Sequence, residues 1–179
     1  MCGRRTRDFA EVTTLQERSK LLQSQILSSD DGKRFIPVGT FQEKDGDETA
    51  FMFDDSGSIT AVSRRGRGTA ELITLSSNFR IKTRQDLGRY IGGPFIGRFG
   101  NHTLVAGRNI VNGIPKMVIC KLVSGNLQNL CELPAGGDCS YPGMVQLCPG
   151  CILVSYYSSH EKNEEGQPVT KIYLAELEF

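Results

Sequence analysis

Apolar residues along the chain fall in short runs rich in β-branched and aromatic side chains, such as ITAVS, PKMVICKLV and VTKIYLAEL. Clusters of Gly, Asn, Asp and Ser separate them. This alternation of strand-like runs with turn chemistry predicts an all-β chain. One stretch breaks the pattern. From Asp8 to Gln25, Phe9, Val12, Leu15, Leu21 and Leu22 recur with a partial helical period, which predicts a helix. A strand edge is the alternative reading there.

The strand-like runs also repeat. ETAFMFDDSGSITAVSRR (48–65), GGPFIGRFGNHTLVAGR (92–108) and SYPGMVQLCPGCILVSYY (140–157) each read as strand, tight polar turn, second strand. Aligning Ala50, Pro94 and Pro142, which lie 44 and 48 residues apart, superposes the turns DDSG, FGN and CPG. The same alignment brings Arg64, Arg108 and Tyr156 together at the end of the second strand. Further strand-like runs follow each pair, at 69–75, 115–123 and 169–177. A period of about 40–50 residues with about four strands describes a β-propeller blade.

Composition narrows the function classes. The chain has 179 residues, and 21 Lys plus Arg against 20 Asp plus Glu leave a net charge of +1. That balance gives no global electrostatic case for nucleic acid or an anionic membrane. No apolar run approaches the roughly 20 residues of a membrane-spanning helix. The opening MCGRRTRDFAEVTT carries basic residues without an apolar core behind them, so no signal peptide is read.

Ahead of the repeats, SSDDGKRF (28–35) has a Ser-x-Asp-x-Gly-x-x-aromatic pattern. Ser and Asp oxygens suit turn amides, Gly suits a positive φ, and the aromatic is expected to pack beneath the hairpin. A generic Asp-Asp-Gly hairpin accounts for it equally, and LSSNF (75–79) reads as a decayed copy.

Taken together, SSDDGKRF, DETAFMF, ITAVSRR, IGGPF, VAGR, GGDCSYPG and VSYYSSHE…IYLAEL resemble the C-terminal half of the sialidase (neuraminidase) superfamily, in particular exo-α-sialidase-like proteins. The resemblance spans about residues 24–179. It implies a six-bladed propeller with Asp boxes (BNR repeats), of which this chain carries about three blades in 21–179, after an N-terminal remnant in 1–20. It also implies a retaining glycoside hydrolase with a Tyr nucleophile, acting on a sialylated glycan or related acidic sugar without metal or cofactor.

The family's catalytic residues run Arg, Asp, Glu, Arg, Arg, Tyr, and the last four have counterparts here. The resemblance makes Tyr141, in GGDCSYPG, the nucleophile, and Glu48, in DETAF, the base that takes its proton. A phenol of pKa about 10 needs such a partner. Arg64 and Arg108 become two of the arginines that clamp the sugar carboxylate, for which bidentate guanidinium geometry is strong. Tyr156 either lines the pocket beside the sugar or packs structurally. Solvated strand-end arginines, a solvated acid in KDGDE and a Tyr packed in a Pro-Gly turn are the plain alternatives. Arg65 competes for the role of Arg64, Arg98 for that of Arg108, and Asp138 reads as a turn-former.

Of the six cysteines, Cys148 and Cys151 have C-x-x-C spacing in a Pro-Gly turn with no second pair to complete a metal site. Asn101-His-Thr is a glycosylation sequon. The family's first Arg and its acid/base Asp have no counterpart. Arg4, Arg5, Arg7 and Asp8 lack strand context. Three blades leave an open edge that favours self-association. The expectation is therefore a truncated sialidase with little turnover alone, or a non-catalytic propeller module that binds an acidic sugar or a protein.

Overall fold

A computed structural model describes residues 22–179. Thirteen strands run in chain order, all paired antiparallel: β1 (Ser24–Ser28), β2 (Ile36–Gln42), β3 (Thr49–Phe53), β4 (Ile59–Ser63), β5 (Glu71–Leu75), β6 (Ile81–Asp86), β7 (Gly92–Phe99), β8 (His102–Val111), β9 (Ile114–Val123), β10 (Asn126–Leu133), β11 (Cys139–Cys148), β12 (Cys151–Lys162) and β13 (Pro168–Glu178). No helix occurs among the described residues. The predicted helix ends in strand instead, because Ser24 and Gln25 open β1. Its earlier part, the segment 1–20 and the cluster Arg4, Arg5, Arg7 and Asp8 lie outside the described residues.

The chain divides into two units, Met1–Gly88 and Arg89–Phe179. In the first, the β1–β2 hairpin accompanies a four-stranded meander in the order β3-β4-β5-β6. Ile26 and Phe41 from the hairpin share a core with Ile59, Ala61, Ile73 and Leu75. The near-continuous apolar runs of β4 and β5 suit strands covered on both faces, whereas β6, IKTRQD, is exposed throughout.

In the second unit a four-stranded meander, β7-β8-β9-β10, is followed by a three-stranded one, β11-β12-β13. Leu104, Ala106, Met117 and Ile119 of the former meet Ile152, Val154 and Tyr156 of the latter in one core. Such up-and-down antiparallel sheets, packed face to face, are the blades of a propeller. The architecture is all-β, a partial β-propeller.

The predicted repeats are the hairpins β3–β4, β7–β8 and β11–β12. The turn at 28–35 is organised by Asp31: its Oδ1 accepts the Lys33 and Arg34 amides, both at 2.8 Å, while Ser29 Oγ accepts from Gly32 at 2.9 Å. Those bonds hold the Asp31 carboxyl below its ordinary pKa. Gly32 has φ +69°, as the turn requires. Phe35, expected beneath the hairpin, is exposed.

Candidate functional site

The two units carry separate groups of candidate residues. In the first, Arg64 follows directly on β4 and Glu48 directly precedes β3. The Arg64 amide donates to the Glu48 carbonyl at 2.9 Å, so the hairpin register itself sets the two side by side. Arg64 Nη1 donates to Glu48 Oε2 at 2.9 Å, Nε lies 3.3 Å from Asp47 Oδ2, and Nε also donates to the Gly66 carbonyl. Buried Gln42 ties this corner together. Its amide nitrogen donates to the Arg64 carbonyl, and its carbonyl oxygen accepts from the Asp47 amide and the Ser24 hydroxyl. Arg65 turns to Glu71 and Asp86, at 4.0 and 3.9 Å.

The second unit builds its group on two docked bulges. The β7–β8 register slips between Gly92 and Phe95, and the β11–β12 register slips between Ser140 and Gly143. Each bulge holds a proline, Pro94 or Pro142, which suits places where a ladder amide is not needed. Ser140 Oγ donates to the Gly92 carbonyl at 2.8 Å. A Cβ on Gly93 would stand 2.4 Å from that Oγ and 2.8 Å from the Tyr141 nitrogen. Only glycine permits this approach.

Arg108 stands opposite Gly92, and Tyr157 opposite Ser140. The two converge on one atom: Asp138 Oδ1 accepts from Arg108 Nη1 at 2.7 Å and from the Tyr157 hydroxyl at 3.0 Å. Arg108 Nη2 also donates to the Tyr90 hydroxyl at 3.3 Å. Burial opposes the arginine's charge, but the Tyr90 hydroxyl and Asp138 raise its pKa above the ordinary value. Burial and then Asp138 push the Tyr157 phenol up to about 12.

Tyr141 joins this group through its ring, stacked on Tyr157 with centroids 6.1 Å apart. It is 57% exposed and sits at φ +50°. A bulky residue in that region is a backbone outlier costing roughly 1–3 kcal/mol, and such strain clusters where a side chain is held for a task.

Tyr156 is placed elsewhere. It is 4% exposed, donates its hydroxyl to the Pro134 carbonyl at 2.8 Å and stacks on Tyr173 in the core. The residue structurally equivalent to Arg108 is Tyr157. Arg98 is exposed beside the β7–β8 turn, far along the strand from Arg108. Asp138, which reads as a turn-former in the sequence, is an ion-pair partner here, and Tyr90 and Gln42 are partners that no motif marks. The only signal for Asp138 was its place three residues before Tyr141.

Among the described residues no group of three or more His, Cys, Asp or Glu is arranged to hold a metal ion, and no helix is long and apolar enough to cross a membrane.

No protein-family profile matches the chain, and no curated protein matches it. Solved structures similar in fold include the following two. One is a protein of unknown function from Dyadobacter fermentans DSM 18053, with TM-score 0.70 and 17% identity over 88% of this chain and 46% of that one. The other is the Bacteroides ovatus xyloglucan PUL GH43B, with TM-score 0.58 and 10% identity over 86% of this chain and 36% of that one. The chain thus spans less than half the length of either structure.

Proposed function

We propose that the chain is part of a carbohydrate-handling propeller of the exo-α-sialidase kind, whose whole form releases terminal sialic acid with retention. Arg108 carries this reading. Its guanidinium shares one carboxylate with Tyr157, on whose ring the exposed Tyr141 is stacked. An arginine beside a presented phenol is the pairing that a sugar carboxylate and its anomeric carbon call for. The GH43B likeness supports the carbohydrate part at the level of fold.

In this reading Arg108 grips the substrate carboxylate with its guanidinium fork. Tyr141 attacks the anomeric carbon, a neutral phenol avoiding the repulsion a carboxylate nucleophile would meet. Glu48 and Arg64, the base and a second carboxylate-binding arginine by family resemblance, lie in the other unit, where they pair with each other at 2.9 Å. The general acid that protonates the leaving oxygen has no counterpart in the sequence, so the chain by itself is expected to bind rather than turn over.

The test is calorimetric titration with a 2-deoxy-2,3-dehydro sialic acid analogue. Binding that weakens by about tenfold or more in Arg108→Ala is the expected result. Equal binding of wild type and variant, or binding of a neutral xyloglucan oligosaccharide in its place, overturns the proposal. A second reading, a non-catalytic module, is favoured by the engagement of Arg64 with Glu48 and Asp47. Hydrolysis of a fluorogenic sialoside that depends on Tyr141 would eliminate it.

A further inference from the structure

The turn joining β11 to β12 carries chemistry that the sugar site does not use. Cys148 and Cys151 are directly opposed across the two-residue turn Pro149-Gly150. Gly150 has φ +80°, and proline followed by a positive-φ glycine is a type II turn. Opposed residues in an antiparallel pair stand roughly 4.5–5.5 Å apart at Cα, within the range of about 4.4–6.8 Å that a disulfide spans.

Both cysteines are free thiols in this structure. Cys148 is exposed, while Cys151 is buried and donates to Glu176 Oε1 at 3.1 Å. The hydrogen bond to Glu176, burial and a hydrogen bond with Cys148 push the Cys151 thiol up to about 12. One thiol is therefore accessible, and the second, within hydrogen-bonding reach of the first, has a carboxylate placed to take its proton. Burial also raises the thiols of Cys120 and Cys139.

We propose that Cys148 and Cys151 form a dithiol modification site that a low-molecular-weight disulfide such as glutathione disulfide closes reversibly, with Glu176 as the base for the second step. Cys148, as thiolate, attacks one sulfur of the disulfide. The S–S bond breaks and one glutathione leaves. Cys151 then passes its proton to Glu176 and attacks the Cys148 sulfur, forming the intrachain bond and expelling the second glutathione. The protein loses two electrons and two protons, and the disulfide is reduced to two thiols. Attack begins at Cys148 because exchange depends on access as well as thiolate fraction.

Closure removes the Cys151 S–H that now holds Glu176 of β13, so the site reports at the end of the chain. There the Phe179 amide donates to the Gly150 carbonyl at 2.9 Å.

The experiment treats the full chain with glutathione disulfide, quenches it in acid at intervals and maps the peptides by mass. The expected product is the 148–151 peptide lacking two hydrogens, formed through a transient glutathione adduct on Cys148 and reversed by dithiothreitol. Cys148→Ser leaves Cys151 unmodified. Glu176→Gln lets the Cys148 adduct accumulate, with closure slowed about tenfold or more. A stable adduct in the wild type, a disulfide to another cysteine, or no reaction at a Cys148 that iodoacetamide alkylates readily would each overturn the site. Equal closure rates in wild type and Glu176→Gln would overturn the role of Glu176.

Discussion

Arg64 and Arg108 occupy equivalent corners of successive hairpins and are similarly covered, with side chains 23% and 20% exposed, yet their surroundings differ. Arg64 faces two carboxylates, Asp47 and Glu48. Arg108 faces one carboxylate and two phenols, Asp138, Tyr90 and, through Asp138, Tyr157. Among the described residues, the first corner sets two carboxylates against one guanidinium and the second sets one against one. Like strand ends, placed by like registers, have thus been given different electrostatic work. An anionic ligand meets less opposition at Arg108, which is why the proposed carboxylate grip rests there.

The backbone beneath the two arginines gives the largest contrast. Gly93→Ala puts a methyl 2.4 Å from Ser140 Oγ at φ +53°. Strain and overpacking together should cost about 2–4 kcal/mol and lower the urea midpoint of the second unit. Gly66, whose carbonyl accepts from Arg64, has φ +52° but open space around its would-be methyl. Gly66→Ala should therefore cost only about 1 kcal/mol. Equal losses in urea unfolding would mean that the docked bulges do not set the Arg108 corner.

Ligand affinity comes next. If charge-assisted hydrogen bonds are worth about 1.5–3 kcal/mol, Arg108→Ala should weaken the sialic acid analogue by about 10- to 150-fold. Arg108→Lys should recover only part of this, because an ammonium lacks the guanidinium fork. Arg64→Ala should cost less than about tenfold, its guanidinium being already engaged by Glu48 and Asp47. A larger loss at Arg64 would reverse the comparison.

Much of this fold was legible in the sequence, and one error shows what was not. The strand runs, the hairpin turns and the offset between the first strands of the repeats all follow from apolar patterning and turn residues. Alignment on the prolines puts Tyr156 at the end of the second strand of the last repeat, one residue short of Tyr157, which the structure sets opposite Ser140. The β11–β12 register slips once more between Gln146 and Cys148, which makes this hairpin one residue longer than its counterparts. Leu147 looks like any apolar strand residue, and nothing local marks an extra one. Since a one-residue shift exchanges the two faces of a strand, Tyr156 went to the core and Tyr157 to Asp138. Side-chain convergence was illegible for a related reason. Asp138 in a Gly-Gly-Asp turn reads as a turn-former until Arg108 is seen across from it.

A smaller effect follows from Tyr157. Its phenol is raised from the ordinary 10.0 to about 12 in the folded chain, by burial and by Asp138. The folded state therefore favours the protonated phenol. The stability this contributes is fully present below pH 10 and drains away as pH rises towards 12. Thermal unfolding of the wild type should fall more steeply across that window than that of Tyr157→Phe. Tyr173, raised similarly by burial and Glu161, keeps titrating in both proteins, so the difference between the two curves isolates Tyr157.

The smallest effect separates folding from function at the Arg108 corner. Asp138 is 66% exposed in its side chain, so its ion pair with Arg108 is screened by water. Such pairs contribute about 0–1 kcal/mol, and Asp138→Asn should leave the unfolding midpoint nearly unchanged. The same substitution keeps an oxygen for the Tyr157 hydroxyl and removes the negative charge beside Arg108. If Asp138 competes with a ligand carboxylate for the guanidinium, the variant should bind the analogue more tightly, by a few-fold and less so at high salt. If Asp138 instead orients Arg108, binding should weaken at unchanged stability. A strengthened complex means that the corner is held partly closed by its own carboxylate, a restraint that two carboxylates would impose more heavily on Arg64.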